Sequence, residues 1–329
     1  MRVGSGQSVV RRRLLAAAAL AGVHPAFGAD SYPSRPITVI VPFAAGGIAD
    51  LTARTVTEAM THELRQPIVV DNRPGAGNIV GTAAVARARP DGYTLLLMSN
   101  GNAVSASLFR KLPFDVSKDF APVSTLGFFD LVLLADRGSR FTSLGSFLDE
   151  ARSRPGKLAV GTIALGSTQN LAAELFKRSA GVAALVVPYR TSPAVVGALR
   201  AGEIDLAFEI LGPMLGQIQA GGVRALAVTA EKRLAVLNDV PTVREAAGLG
   251  DYVVASWNAL AAPAGTPARI VDRLAASTRT ALASPGTRAR LELLGVRPQA
   301  GTPAELQALL ENEIGRWHSV ILAAHIAPQ

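Results

Sequence analysis

The chain has 329 residues, of which 49% are hydrophobic and 18% charged, with no cysteine and a formal net charge of +8. That is too apolar for a disordered protein and long enough for two domains of ordinary size. Without cysteine there are no disulfide staples, no thiolate nucleophile and no lipid-modified cysteine.

The first residues read as a separate unit. Arg11-Arg12-Arg13 is a positive cluster, residues 14–23 form an apolar run too short to span a bilayer, and Ala26-Phe27-Gly28-Ala29 supplies small residues. This predicts an export signal over residues 1–29, cleaved near Gly28 or Ala29, by the Sec or the twin-arginine route. Its four arginines go with it, which lowers the net charge to +4. With no concentrated basic stripe left, nucleic acid is not an expected partner. No later stretch is long and apolar enough for a membrane span, so a soluble protein of the periplasm is expected.

Residues 37–41 are an apolar run with β-branched members, which predicts a buried strand that Pro42 terminates. Gly46-Gly47 makes a turn open to a ligand. Val56, Met60 and Leu64 recur as the inner stripe of a helix. Strand, glycine turn and helix place bare N–H groups at the carboxyl end of a strand, where an anion could sit; a plain tight connection is the alternative. A strand over 68–70, a loop over 72–78, a helix over 79–88 and a strand over 93–98 complete a βαβαβ series. Ser99-Asn100-Gly101-Asn102 follows that strand, again at a carboxyl end.

From 122 to 134 the chain reads as extended, and a second βα series begins. Helices are predicted near 144–153, 170–179, 193–201 and 214–220, and strands over 158–161, 185–187, 204–208 and 225–228. Residues 253–260 form another extended passage. Everything after Pro267 reads as helix, broken at Pro285 and Pro303, with Thr302-Pro303-Ala304-Glu305 as a start signal. Two α/β units, the second inserted into the first, imply two doubly wound α/β domains joined by two crossing strands. That is a bilobed periplasmic-binding-protein-like fold with a ligand cleft. The expected lobes are residues 30–127 plus 256–329, and 128–255. The expected hinges lie near 128–133 and 254–260.

An ordered set of motifs covers the chain after the leader. It includes Tyr32-Pro33-Ser34-Arg35-Pro36, Pro42-Phe43-Ala44-Ala45-Gly46-Gly47-Ile48-Ala49-Asp50, Asn72-Arg73-Pro74-Gly75-Ala76-Gly77 and Pro90-Asp91-Gly92-Tyr93. Lys118-Asp119-Phe120-Ala121-Pro122-Val123, Asp239-Val240-Pro241-Thr242-Val243 and Ala262-Pro263-Ala264-Gly265-Thr266-Pro267 continue it. Together these resemble the substrate-binding receptors of tripartite tricarboxylate transporters, the Bug family. The resemblance implies a receptor, without cofactor, metal or catalysis, that closes on a small organic carboxylate and delivers it to membrane permease subunits. A monomer is expected. Carried onto this chain, it implies ligand contacts from Phe43, Ala44, Gly46, Gly47, Asp50, Ser99, Asn100 and Asn102 in the first lobe. In the second it implies Thr162, Gly166, Ser167, Thr168 and Gln169, with Tyr189 and Glu209 nearby. Asn170 and Glu209 depart from the family pattern, which commonly has His and Asp there. Ile163-Ala164-Leu165 is more apolar than usual, which suits an aromatic or branched carboxylate better than citrate.

The residues themselves weigh alternatives. Ser167 or Thr168 could simply cap a helix. Asp50 and Glu209 could be a pair of catalytic carboxylates, but Asp50 in the first turn of a helix is better placed to tie down loop amides. Trp257 could line the cleft or pack in the core. The glycine run 75–81 is one residue too long for a dinucleotide fingerprint. His62, on the first helix, and His318 and His325, on what should be a solvated C-terminal helix, have no nucleophile or zinc-ligand spacing and are expected on the surface. A ligand sensor of the same fold, signalling to a membrane kinase, and an exported α/β enzyme remain as other readings.

Overall fold

The computed structural model describes Met1 and residues 32–329, so the expected leader lies, but for Met1, outside the described residues. Residues 35–329 form one compact unit, described below.

It opens with strand β1 (Ile37–Val41), helix α1 (Ile48–Leu64) and strand β2 (Ile68–Asn72). Helix α2 (Ile79–Ala86) and strand β3 (Thr94–Ser99) complete the predicted βαβαβ unit. Val56, Met60 and Leu64 are buried on α1, as their spacing requires. β1 pairs parallel with both β2 and β3, so it is an interior strand, and all of its residues but Thr38 are buried.

Two readings need correction here. Residues 100–108, for which no element is predicted, form helix α3 (Asn100–Leu108) directly after β3. The extended passage begins earlier and is a single 17-residue strand, β4 (Phe120–Asp136).

The second series follows as α4 (Leu144–Ser153), β5 (Ala159–Ile163), α5 (Thr168–Ala180), β6 (Leu185–Tyr189) and α6 (Ser192–Arg200). It continues with β7 (Leu206–Ile210), α7 (Leu211–Gln219), β8 (Val223–Val228) and α8 (Val243–Ala247). The chain returns through β9 (Ala255–Pro263) to α9 (Ala268–Ala283), α10 (Pro285–Leu293), the two-residue strand β10 (Arg297–Pro298) and α11 (Pro303–Ala323). The start signal of α11 is realised: Glu305 N donates to Thr302 Oγ1 at 3.2 Å, and Thr302 N to Glu305 Oε2 at 2.7 Å.

β4 organises both sheets. Its residues 120–130 run antiparallel to β9, which pairs on its other side with β3. From Leu131 onward β4 changes neighbours, taking β7 on one side and β8 on the other, with β5 and β6 beyond β7. The return path lies beside this change: Thr229 N donates to Leu131 O, and Val254 N to Thr229 O. Two parallel-stranded α/β halves thus share one long strand.

The C-terminal helix is not the solvated helix expected from sequence. α11 buries Leu306, Leu310, Trp317, Val320 and Ile321, while His318 on it is exposed and His325 lies past its end. Trp257 is 1% exposed and belongs to the same core as Trp317, which favours the packing role.

Candidate functional site

In the first half, the loop from β1 to α1 turns on Gly46, whose φ of +81° is left-handed. Its N–H donates to Asp50 Oδ2 at 2.9 Å. Asn72 Nδ2 donates to Phe43 O at 3.1 Å and to Asp50 Oδ1 at 3.0 Å, and Arg54 Nε reaches the same carboxylate at 3.0 Å. Burial of Asp50 works against its charge, but the bonds from Arg54, Gly46 and Asn72 prevail and hold its carboxyl below the ordinary range. Asp50 therefore ties down the loop, as its place in the helix suggested. Ala44, Ala45, Gly46 and Gly47 are left exposed at the start of α1, with almost no side chain in front of their backbone.

The second half repeats this device. Between β5 and α5, Gly166 has a φ of +78°, and its N–H donates to Asn170 Oδ1 at 3.1 Å. Asn170 Nδ2 donates in turn to Thr162 Oγ1 at 3.2 Å. In both halves a left-handed glycine donates to a side chain four residues later, in the first turn of the following helix. Ser167 caps that helix, accepting from Asn170 N at 3.1 Å and donating to Ile163 O at 2.8 Å. The N–H groups of Gly46 and Gly166, expected to face a ligand, are thus both engaged within their own loops.

Three predicted polar residues hold the frame. Asn102 is fully buried; its Oδ1 accepts from Ser99 N at 2.8 Å and its Nδ2 donates to Thr82 Oγ1 at 2.9 Å. Asn100 is also fully buried; its Oδ1 accepts from Trp317 Nε1 and its Nδ2 donates to Thr168 Oγ1, both at 2.8 Å. Thr168 passes the chain on to Ser256 Oγ at 3.3 Å. Asn100 and Thr168, from opposite halves, are therefore brought into direct contact. Gly166 and Leu108 also meet, since a Cβ on Gly166 would lie 2.3 Å from Leu108 Cδ2.

Glu209 is expected just past a strand but stands inside β7, 1% exposed, with Oε2 accepting from Ser192 Oγ at 2.7 Å. Burial raises its pKa, against the opposing influence of Ser192, Gln169 and the Ile210 amide. Gln169, 3% exposed, comes from the first turn of α5. Tyr189, half-buried at the end of β6, has its phenol raised by burial and by Glu203, and its carbonyl accepts from Ala164 N at 2.8 Å. Asp50 and Glu209 share no hydrogen bond, and no bond joins the 43–50 loop to the 162–170 loop.

Sequence reasoning missed Arg54, Asn72, Ser192, Ser256 and Trp317. Arg54 carried a usable signal, since it stands four residues after Asp50 on one helix face. Among the described residues no cluster of three or more His, Asp or Glu could hold a metal, and no helix is long and apolar enough to cross a membrane.

A profile of the tripartite tricarboxylate transporter family receptors matches residues 52–326. A protein encoded in the tcbD-tcbE intergenic region of Pseudomonas sp. (strain P51) is 39% identical over 318 residues, covering 96% of this chain and 95% of its own. The R. palustris protein Rpa4515, solved with adipate, superposes with a TM-score of 0.78 at 35% identity, over 91% of this chain and all of its own. MatC from Rhodopseudomonas palustris, solved with bound malate, gives 0.74 at 35% identity over 88% of this chain and all of its own. The chain belongs to the receptor family of the tripartite tricarboxylate transporters, with the bilobed α/β fold of that family's solute-binding proteins.

Proposed function

We propose that this chain is an exported receptor that captures a small organic dicarboxylate between its two halves and hands it to membrane permease subunits. It acts as a monomer and carries out no chemistry on the ligand. The observation that carries this reading is the repeated glycine device. Two loops at the carboxyl ends of parallel strands β1 and β5 are each held rigid from within, and each lies at the N-terminus of a helix. Rigid, side-chain-poor backbone at helix N-termini suits a carboxylate, and each charge-assisted bond contributes roughly 1.5–3 kcal/mol net. Three such bonds at about 2.5 kcal/mol approach the 8 kcal/mol of a micromolar complex.

The expected ligand contacts stand within this proposal with altered roles. Phe43, Ala44, Gly46, Gly47, Ser99, Ser167, Gln169, Tyr189 and Glu209 line the site; Asp50, Asn100, Asn102, Thr162, Gly166 and Thr168 position it. Closure pivots where β4 changes neighbours at Asp130 and Leu131, and at the return through 229–255. A pivot there supports the expected division at 127/128 and 255/256. The relatives solved with adipate and with malate support the dicarboxylate class. The exposed Leu165 beside the second loop favours the longer, more apolar chain of adipate over citrate.

Calorimetric titration of residues 30–329 with adipate, malate, citrate and benzoate tests the reading. Micromolar binding of a dicarboxylate, tighter than citrate, is expected. Binding of none of the four, with a folded protein confirmed by circular dichroism, would sink it.

A further inference from the structure

Glu209 has a feature the receptor function does not use. Its Oε1 is buried without a hydrogen-bond partner, although Oε2 is held by Ser192. It stands near the carboxyl end of β7, between the N-termini of α5 and α6. The groups facing it are neutral: Ser192 from α6, Gln169 from α5 and the Ile210 amide along its own strand, with Val132 opposite it on β4. β5 brings Gly161 beside β7, and the start of α7 brings Leu211. No cation balances this acid. Left ionised it would be a buried charge whose Oε1 has no bonded donor and only the weaker influence of Gln169 and the Ile210 amide, which is costly; protonated at Oε1, it would carry a hydrogen with no bonded acceptor.

A ligand carboxylate resolves both problems. Resting on the receptor reading, we infer that the ligand binds with one proton shared between Glu209 Oε1 and a carboxylate oxygen of the ligand. The proton comes from solvent, or is already on Glu209 at low pH, and no other bond is made or broken. Two carboxylates at hydrogen-bond distance cannot both stay ionised cheaply, so capture of the dianion takes up a proton.

The test is calorimetry with adipate and malate in pairs of buffers that differ in ionisation enthalpy, between about pH 5.5 and about pH 8.5. Uptake rising towards one proton per ligand is expected, with Kd weakening up to tenfold per pH unit at the alkaline end. Glu209→Gln should weaken binding and remove both the uptake and the pH dependence of the affinity that remains. Ser192→Ala keeps the acid but removes the donor to Oε2, and should move the onset of uptake to higher pH; it carries the test if Glu209→Gln fails to fold. Binding by the natural chain with no proton uptake anywhere in this range overturns the inference and leaves the receptor reading intact. Failure of every dicarboxylate to bind instead overturns the receptor reading. A ligand-free check is independent of both. Because the raised carboxyl holds its proton more tightly folded than unfolded, the natural chain should lose stability relative to Glu209→Gln as pH rises above about 4.5. A difference that stays flat with pH would also overturn the inference.

Discussion

Asn100 is where removing one side chain should cost most for its size. It is fully buried, and its amide joins three elements: its Oδ1 accepts from Trp317 Nε1 on α11 and its Nδ2 donates to Thr168 Oγ1 on α5. Asn100→Ala leaves the indole N–H buried and unpaired, a penalty of about 1–3 kcal/mol, and loses the bond to Thr168, about 1 kcal/mol more. The expected loss is therefore about 2–4 kcal/mol, a large fraction of an ordinary domain's stability. Urea unfolding followed by circular dichroism reads it directly. A cycle with Trp317→Phe isolates the mechanism: once the donor is gone, Asn100→Ala should cost about 1–2 kcal/mol less than it does alone. A loss under about 0.5 kcal/mol, or simple additivity of the two variants, would refute the claim that this amide satisfies the indole.

Asp50→Asn should destabilise the chain by about 1–3 kcal/mol at neutral pH, because one amide cannot serve Gly46, Asn72 and Arg54 as the carboxylate does. The folded carboxyl is held below its ordinary value, so its contribution is present above about pH 4 and is lost as pH falls through the folded value. Acid melts of Asp50→Asn should accordingly be flatter below about pH 4, and identical acid limbs would count against this. Gly166→Ala should cost about 1–2 kcal/mol for its φ of +78° and more for the 2.3 Å approach to Leu108 Cδ2. Adding Leu108→Ala should relieve the crowding and leave the backbone part; full recovery would show that the conformation carries no cost. Raising ionic strength tenfold should weaken ligand binding by less than about threefold, since the cation nearest the first loop, Arg54, is already paired with Asp50. A steep salt dependence would point to an unpaired cation in the site.

Much of the fold was legible because its signals are local. The apolar runs of β1, β5 and β6, the inner stripe of α1 and the capping box of α11 each depend on a few neighbouring residues. α3 was missed because Ser, Asn, Gly and Asn in succession carry the composition of a turn. What makes them a helix is Asn102, which accepts from Ser99 N and is itself anchored on Thr82, twenty residues away. α11 reads as solvated for the same reason: Trp317 is buried by a partner 217 residues distant. β10 is two residues long and owes its conformation to β4, so no local signal marks it. At the site, sequence identified the loops but not the division of labour within them. Which amide of a glycine loop is free depends on where the side chain four residues later points.

That division has a consequence for how the site works. The two loops hold their left-handed glycines in the same way but differ in charge. The first uses Asp50, neutralised by Arg54; the second uses the neutral Asn170 on Thr162. Most polar side chains around them are engaged with one another, so little of their hydrogen-bonding capacity is left for a ligand. What remains is backbone at two helix N-termini, a few hydroxyls, and one buried carboxyl oxygen on Glu209 without a partner. Backbone dipoles attract any small anion and discriminate poorly among them. The unpartnered oxygen is different, because a ligand carboxylate can meet it only by taking up a proton, which ties binding there to pH. In such a site the helix N-termini supply most of the affinity, whereas the pH dependence of carboxylate capture falls to Glu209.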